Sequence, residues 1–173
     1  MKSRLRIITV FLLLTLLGGS AVGLTDVGKL CIFSAISGVI TKDGQPVAHA
    51  KLIRTGSKER KHQDETTTDE SGHFSFPPMY ERSIAKYLPM EFVASQKIMV
   101  DYKGQSYKLW SGVKRKPDEN TESRGKPLIV KCALNSKEQD ISIEGSMFFS
   151  LCSWDVESDP PFDTSKLFES DYD

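Results

Sequence analysis

Apolar and polar residues alternate over several short stretches of the chain, and this alternation predicts β-strands. Phe74 and Phe76 share one side of such a stretch, with Ser75 on the other side. Later in the chain, Val130 and Cys132 alternate with Lys and Ala neighbours in the same way. No sustained helical period accompanies these stretches. The pattern therefore predicts an all-β protein.

About seven short strands separated by turns are typical of an antiparallel β-sandwich. An Asp-Gly pair at 43–44 is a strong turn signal, because glycine accepts the positive φ that a tight hairpin requires. We expect Phe74, Phe76, Val100 and Val130 to share the core. The predicted strands cover 32–41, 47–55, 66–68, 74–76, 91–102, 106–113 and 128–134, with a short edge strand at 140–144 and one short helical turn within 80–88.

Three local expectations follow from the same pattern. The charged segments 56–65 and 114–126 are predicted to be loops between strands. Alternation within 106–113 places Leu109 and Trp110 on opposite faces of their strand. The apolar run 147–149 is expected to pack back onto the core.

The N-terminus has the order of residues found in a secretory signal peptide. Lys2, Arg4 and Arg6 precede an apolar run at 7–17, and small residues follow at 18–23. The apolar run is shorter than the ~20 residues that span a bilayer. Residues 1–23 are therefore predicted to be a signal that is cleaved after Gly23, with cleavage after Ala21 or an uncleaved anchor as the alternatives.

Charge excludes some partners and marks a tail. The whole chain has 23 Lys and Arg against 23 Asp and Glu, and removal of the signal leaves a net charge of about −3. We therefore expect no nucleic-acid partner. The short apolar run at 7–17 also predicts no stable membrane span after signal cleavage. Residues 153–173 are rich in Asp and Glu and contain a Pro-Pro pair. They are predicted to be a disordered acidic tail, either a solubilising extension or an arm that binds a basic partner.

The chain has three cysteines, an odd number for an exported protein. One disulfide and one free thiol is the simplest arrangement. We favour Cys132–Cys152, because Cys132 is at an inward position of its strand and Cys152 follows after a short connection. A pairing that includes Cys31 is an alternative, and so are three buried thiols.

The residues 37–52 and 68–76 resemble the carboxypeptidase regulatory-like domain, a transthyretin-like β-sandwich. The matching features are Ser37-Gly38-Val39, Asp43-Gly44-Gln45-Pro46-Val47, Ala50-Lys51-Leu52 and Thr68-Asp69-Glu70-Ser71-Gly72-His73-Phe74. The resemblance implies a domain at 31–152 with this fold. It implies little about activity, since such modules occur on many unrelated proteins.

A longer set of residues is similar to an uncharacterised family of small gammaproteobacterial proteins. The set includes Cys31-Ile32-Phe33-Ser34, Phe74-Ser75-Phe76-Pro77, Gln96-Lys97-Ile98 and Gly125-Lys126-Pro127-Leu128. This similarity implies a Gram-negative envelope protein, periplasmic or secreted.

The residue types that carry catalysis or bind metals do not form a convincing site in the sequence. His62 and Glu65 have the His-x-x-Glu spacing of zinc peptidases, but they lie in a charged segment. A metal site that combines His49, His62, His73 and Asp69 is a weaker hypothesis than turn and surface roles. We expect no catalytic residues, no metal and no cofactor.

A binding function without catalysis is the favoured interpretation, with an unknown protein or glycan of the envelope as partner and an oligomeric state that the sequence does not determine. The candidate partner-binding loops carry Lys58, Arg60, Lys61, Lys114, Arg115 and Lys116. An immunity or inhibitor protein against a delivered toxin is one alternative. A small hydrolase or a metal-binding protein is the other.

Overall fold

The structure is a computed structural model that describes residues 28–161. The predicted signal peptide and residues 162–173 of the predicted tail lie outside the described residues. Within them there are thirteen strands: β1 (Lys29–Phe33), β2 (Ile36–Lys42), β3 (Gln45–Pro46), β4 (Lys51–Ser57), β5 (Lys61–Thr67), β6 (His73–Phe76), β7 (Met79–Arg82), β8 (Ala94–Tyr102), β9 (Gln105–Lys114), β10 (Leu128–Ala133), β11 (Gln139–Ile143), β12 (Ser146–Ser150) and β13 (Cys152–Trp154). Two 3₁₀ turns cover Ile84–Tyr87 and Thr121–Ser123.

Most of the strands form two sheets. One has five strands, with β13, β10 and β2 in order and with β3 and β6 paired to β2. The other has six strands in the order β11, β12, β9, β8, β4, β5. β1 and β7 form a separate two-stranded ribbon. The predicted all-β class with an antiparallel sandwich is confirmed, with more short strands than the seven expected.

One strand pair in the five-stranded sheet is parallel. β2 lies beside β10, and Gly38 is opposite Val130. A Cβ atom added to Gly38 would lie 2.0 Å from the Val130 carbonyl oxygen. Only glycine fits at this position, because any side chain would collide with the neighbouring backbone.

The core lies between the two sheets, where alternate residues of each strand meet. Phe74, Phe76 and Val130 of the five-stranded sheet are buried, and so is Val100 of the six-stranded sheet. All four belong to one apolar cluster. The prediction of these four core residues is therefore confirmed, and at these positions strand parity identifies the inward side chains correctly.

Tight turns join several neighbouring strands. Asp43 and Gly44 have φ of 52° and 76°, and Lys103 and Gly104 have φ of 49° and 78°. Glu144 and Gly145 repeat the pattern between β11 and β12, with φ of 50° and 79°. Two successive residues with positive φ give a turn whose twist matches that of the strands it joins.

The prediction of a loop at 56–65 is wrong in part, because most of this charged segment is strand. β4 continues to Ser57, and β5 begins at Lys61. β5 alternates exposed and half-buried residues, but nearly all of them are polar. A polar edge strand has no apolar alternation to reveal it, and charged edge strands resist pairing with other chains.

A β-bulge overturns the expected orientation of Leu109. Ile98 is opposite Trp110 and Met99 is opposite Lys108, so Leu109 is an extra residue in β9. Both Leu109 and Trp110 are consequently buried. Alternation resumes in β12, where only Phe148 of the apolar run 147–149 points into the core.

A disulfide joins Cys132 to Cys152, as predicted. The two residues face each other across the antiparallel pair β10–β13. Cys31 is a free, buried cysteine.

The chain after the disulfide continues along the surface of the domain. The Trp154 ring lies 4.9 Å from the Trp110 ring, and Arg124 pairs with Asp159. The part of the predicted tail at 153–161 therefore contacts the sandwich.

We expect chemical labelling to identify the same pairing. Iodoacetamide added to the denatured, unreduced chain modifies one cysteine, Cys31, and modifies all three after reduction. The double variant Cys132→Ala/Cys152→Ala loses about 3 kcal/mol of unfolding free energy in urea titrations, because the bridge closes a loop of 20 residues. Label on Cys132 or Cys152 before reduction would contradict the assignment.

Candidate functional site

The two predicted contact segments meet at one end of the six-stranded sheet. Ser57, beside the β4–β5 turn, is opposite Ser95 of β8, and Lys114 at the end of β9 is opposite Ala94. The hairpin tip at 58–60 and the segment 115–127 therefore border the same end of the sandwich. We refer to this end as the loop end.

The six basic residues predicted there do not form one exposed basic patch. Lys114 is fully buried, which contradicts its predicted role in a contact surface. Arg115 pairs with Glu91, Lys116 with Glu144, and Lys58 with the adjacent Glu59. Arg60 and Lys61 are exposed on the hairpin. Neighbouring carboxylates thus neutralise much of the positive charge.

Lys114 belongs to a buried polar cluster that also contains Ser34, Gln96 and Glu122. Lys114 Nζ lies 2.6 Å from Glu122 Oε2, and neither side chain is exposed. Ser34 Oγ donates to the same carboxylate oxygen at 2.5 Å. Gln96 Nε2 and the Ser34 backbone N–H donate to Glu122 Oε1 at 2.8 and 3.1 Å. Every lone-pair direction of the carboxylate is directed at a donor.

Backbone geometry carries Glu122 into this position. The turn Thr121–Ser123 lies between Asn120 and Arg124, which both have left-handed φ, of 60° and 51°. The Asn120 N–H donates to Ser34 Oγ at 2.7 Å, and the Trp154 indole N–H donates to the Glu122 carbonyl at 3.0 Å. The segment folds inward at Glu122 and is fixed from both sides.

A second buried cation, Arg54, lies beside the cluster in the middle of β4. Its guanidinium donates to both carboxylate oxygens of Asp64, at 3.0 and 2.5 Å, and to the Pro77 carbonyl at 2.7 Å. The rings of Phe33 and Phe76 lie 5.1 and 4.6 Å from it. Planar pairing with a carboxylate and stacking on aromatic rings are the contacts that suit arginine in an apolar interior.

The hairpin tip is held by a buried carboxylate from the neighbouring ribbon. Glu81 of β7 accepts from the backbone N–H groups of Glu59 and Arg60, at 3.1 and 3.4 Å. His62 Nε2 lies 3.1 Å from the same carboxylate. The tip of the β4–β5 hairpin is thereby tied to β7.

The electrostatics of the cluster favour two fixed charges. Burial alone raises the pKa of the Glu122 carboxyl, but the Lys114 ammonium and the hydrogen bonds from Lys114, Ser34 and Gln96 outweigh burial and lower the pKa overall. Among residues 28–161, no buried side-chain nitrogen or oxygen is without a hydrogen-bond partner. The cluster is therefore saturated internally, which suits a structural role.

Cys31 lies next to this cluster, with its Sγ 3.9 Å from Ser34 Oγ. Burial raises the pKa of the Cys31 thiol to about 11, although the Lys114 ammonium acts in the opposite direction. The thiol is neutral at pH 7, whereas nucleophilic attack requires the thiolate.

The histidines considered for a metal site have separate acidic neighbours. His62 pairs with Glu81, and His73 lies 3.5 Å from Asp69. His62 and Glu65 are three residues apart on β5 and therefore point to opposite faces of the strand. Within the described part of the chain, no three His, Cys, Asp or Glu side chains are arranged to hold a metal ion.

Four large apolar side chains are exposed at the loop end. Ile84 is 82 % exposed, Met90 64 %, Leu88 50 % and Val93 40 %. Leu88 and Met90 help to line a pocket of about 160 Å³, together with Leu30, Lys58, Lys86, Glu91, Phe92 and Pro117. We call these four side chains and the pocket the apolar end surface.

The sequence contained a signal for this surface. Residues 84–90 are rich in apolar side chains, yet the helical turn predicted within 80–88 is too short to assign these side chains to a core. Lys58 and Pro117, which line the pocket, come from the two segments predicted to make contacts. The predicted contact segments therefore border this surface. The surface itself is mainly apolar, whereas the sequence predicted a basic one.

We expect removal of one charge from the buried cluster to be severe. Lys114→Met leaves Glu122 buried without its counter-ion and should lower the unfolding free energy by about 3–5 kcal/mol. The double variant Lys114→Met/Glu122→Leu should lose less than the sum of the two single variants, as measured by urea unfolding.

Lys116→Met is the matched control, since Lys116 pairs with Glu144 at the surface. Exposed pairs contribute about 0–1 kcal/mol, so this variant should unfold almost like the native chain. Equal destabilisation by the Lys114 and Lys116 variants would show that the buried pair contributes no more to the unfolding free energy than the surface pair does.

Acid should weaken the native chain through the same carboxylate. The pKa of Glu122 is lower in the folded state than its unfolded value of about 4.3, so its stabilising contribution is complete above that pH and is lost as the pH falls through the folded pKa. The difference in unfolding free energy between the native chain and Glu122→Gln, measured by urea titration, should therefore decrease as the pH is lowered from 5. A constant difference over that range would contradict this assignment.

Comparison with known proteins identifies a family. A family profile described as "Domain of unknown function (DUF6795)" matches residues 36–137. The match begins with β2, ends after β10, and includes the buried Arg54, Lys114 and Glu122. No curated protein and no solved structure matches the chain. Because the matched residues make up more than half of the 173 in the chain, the protein belongs to the DUF6795 family.

Proposed function

We propose that this protein is an exported, non-catalytic module that binds another protein of the bacterial envelope through the apolar end surface. The observation that carries the proposal is a pocket lined by the exposed side chains of Leu88 and Met90, with the exposed Ile84 and Val93 close to them in the chain. Single exposed apolar residues are normal on a protein surface, whereas several grouped at a concave site are typical of a contact with a partner.

The frame beneath the surface supports a binding role. Pro117, which lines the pocket, accepts a hydrogen bond at its carbonyl from the Cys31 N–H at 2.8 Å. The segment that contains Pro117 is fixed further along by Glu122. Glu81 fixes the hairpin that contributes Lys58. A surface that is already ordered loses little conformational entropy when it binds.

The chemistry of the pocket defines the partner that fits it. About 160 Å³ accommodates one apolar side chain, and Leu30 and Phe92 provide apolar walls. Lys58 and Lys86 also line it. Lys58 pairs with Glu59, and Arg115 pairs with Glu91, the one carboxylate among the lining residues, so Lys86 supplies the remaining positive charge. The partner is therefore a protein that presents an apolar anchor residue flanked by acidic side chains.

Several observations support a role without catalysis. The buried cluster around Glu122 uses its donors and acceptors internally, and the Cys31 thiol is neutral. His62 and His73 interact with different carboxylates. Catalysis would require such groups to converge on a cavity that a substrate can enter.

Export to the periplasm or beyond is part of the proposal. The disulfide Cys132–Cys152 supports an oxidising compartment, where such bonds persist. Within residues 28–161, no helix has the length and hydropathy to cross a bilayer. The proposed signal at 1–23 would direct the chain out of the cytoplasm.

A carboxypeptidase regulatory-like, transthyretin-like classification also belongs to the proposal. It is supported by the motif residues 37–52 and 68–76, which form β2, β3, the first part of β4 and β6. The sheets that contain these strands enclose one core. Modules of this kind serve many proteins as non-catalytic domains.

Site-directed photocrosslinking in the native organism tests the proposed contact. A photoreactive residue at Met90 should form a crosslink to one envelope protein, and the same residue at Ile129 should not. Ile129 is a matched control, because it is also a largely exposed apolar residue but lies on β10 of the five-stranded sheet, outside the apolar end surface.

The crosslinked partner is then purified and titrated calorimetrically. Met90→Asp should weaken its binding at least tenfold, since the variant places a carboxylate against an apolar and acidic anchor, whereas Ile129→Asp should leave binding unchanged. Unfolding curves establish that both variants are folded. Equal binding by Met90→Asp and the native chain, or equal crosslinking from both positions, would refute the proposed surface.

A further inference from the structure

A second cleft lies at the end of the sandwich opposite the loop end. β2 runs from Ile36, near Ser34, to Lys42, and β9 runs from Gln105 to Lys114. Each of these strands has one end beside the buried cluster. Its other end joins one of the turns at 43–44 and 103–104, so the turns lie far from the cluster. A cleft of about 300 Å³ lies between these turns and is lined by Lys42, Asp43, Gln45, Pro46, Tyr102 and Lys103.

Positive charge in this cleft is incompletely neutralised. Several surface cations elsewhere on the domain pair with carboxylates, as Lys51 does with Glu65 and Lys108 with Glu138. Among the ion pairs of residues 28–161, none includes Lys42 or Lys103. The one carboxylate in the cleft, Asp43, accepts a hydrogen bond from the Asn135 amide at 3.0 Å.

Tyrosine side chains position both ammonium groups. Lys42 Nζ donates to the Tyr107 hydroxyl at 2.7 Å, and this hydrogen bond raises the pKa of Lys42, so the group is charged at pH 7. Lys103 Nζ lies 5.1 Å from the centre of the Tyr102 ring. Two cations held against aromatic rings provide an electrostatic site for an anion.

The remaining lining residues are compatible with a ring-shaped polar ligand. Pro46 and Tyr102 offer apolar surfaces, and the Gln45 amide and Asp43 offer donors and acceptors. A pocket with apolar walls and a few directed polar groups is typical of small-molecule sites. A sugar ring has apolar C–H surfaces and a polar rim, and about 300 Å³ is large enough for one such ring.

We propose that the cleft between the 43–44 and 103–104 turns binds an acidic saccharide, with its anionic group at Lys42 and Lys103 and its ring against Tyr102 and Pro46. The anionic group is a carboxylate or a phosphate on the sugar. This site is independent of the apolar end surface, since the two share no residue.

Calorimetric titration of the full exported chain with defined saccharides tests the proposal. The probes are trigalacturonic acid, a sugar phosphate such as glucose 6-phosphate, neutral galactotriose and inorganic phosphate, all at low ionic strength. At least one acidic sugar should bind, and raising the salt concentration should weaken it. Binding of the uronate alone or of the sugar phosphate alone identifies which anion the site prefers.

Variants locate the binding. Lys42→Gln/Lys103→Gln should weaken binding of the acidic sugar about tenfold, because two partly exposed charge contacts are lost. Lys131→Gln is the matched control, since Lys131 is an exposed lysine on β10 outside the cleft. It should bind like the native chain.

Four results would overturn the proposal: no binding of either acidic sugar, equal binding of the neutral trisaccharide, equal binding of inorganic phosphate, or unchanged affinity in the double variant. The substituted lysines lie at the surface, so urea unfolding should show both variants to be as stable as the native chain.

Discussion

The ion pair between Lys114 and Glu122 inside the sandwich is the interaction on which the loop end depends. A charge transferred from water to an apolar interior loses much of its solvation free energy, and this loss is offset only by a counter-ion and a full set of hydrogen bonds. Ser34 and Gln96 complete that set for the carboxylate. The last turn of the 115–127 segment before β10 therefore has one favourable position, with Glu122 inward.

This constraint extends to the surface. The chain from Lys114 to Glu122 contains Pro117, whose carbonyl is bonded to β1 and whose ring lines the apolar pocket. Arg54 and Glu81 act in a similar way on β4 and on the hairpin tip. Buried charged and polar groups thus help to position the segments that present the apolar side chains of the loop end.

The sequence predicted those features that depend on local pattern. Strand parity identified Phe74, Phe76 and Val130 as core residues, and the inward position of Cys132 helped to identify its partner. Parity failed at Leu109, because a bulge depends on the pairing partner and leaves no mark in the local pattern. It also failed for β5, whose inward positions are polar and pair with Arg54 and Glu81 instead of forming apolar contacts.

The candidate site was less predictable because its residues are far apart in the chain. In a basic triplet, Lys114 cannot be told from Arg115 and Lys116 by composition, and only the end of β9 places it inside. Its counter-ion Glu122 lies in a polar segment with no periodicity. The apolar side chains at 84–93 were visible, but their exposure follows from the packing of other elements.

The parallel pairing of β2 with β10 also limits how early in folding the five-stranded sheet can form. Ile36 meets Leu128, and the shorter strands of that sheet pair with β2 or with β10. A growing polypeptide that has not yet supplied residue 128 leaves one side of β2 without its neighbour. Such a chain closes slowly and late, so the five-stranded sheet is completed only after most of the domain is available.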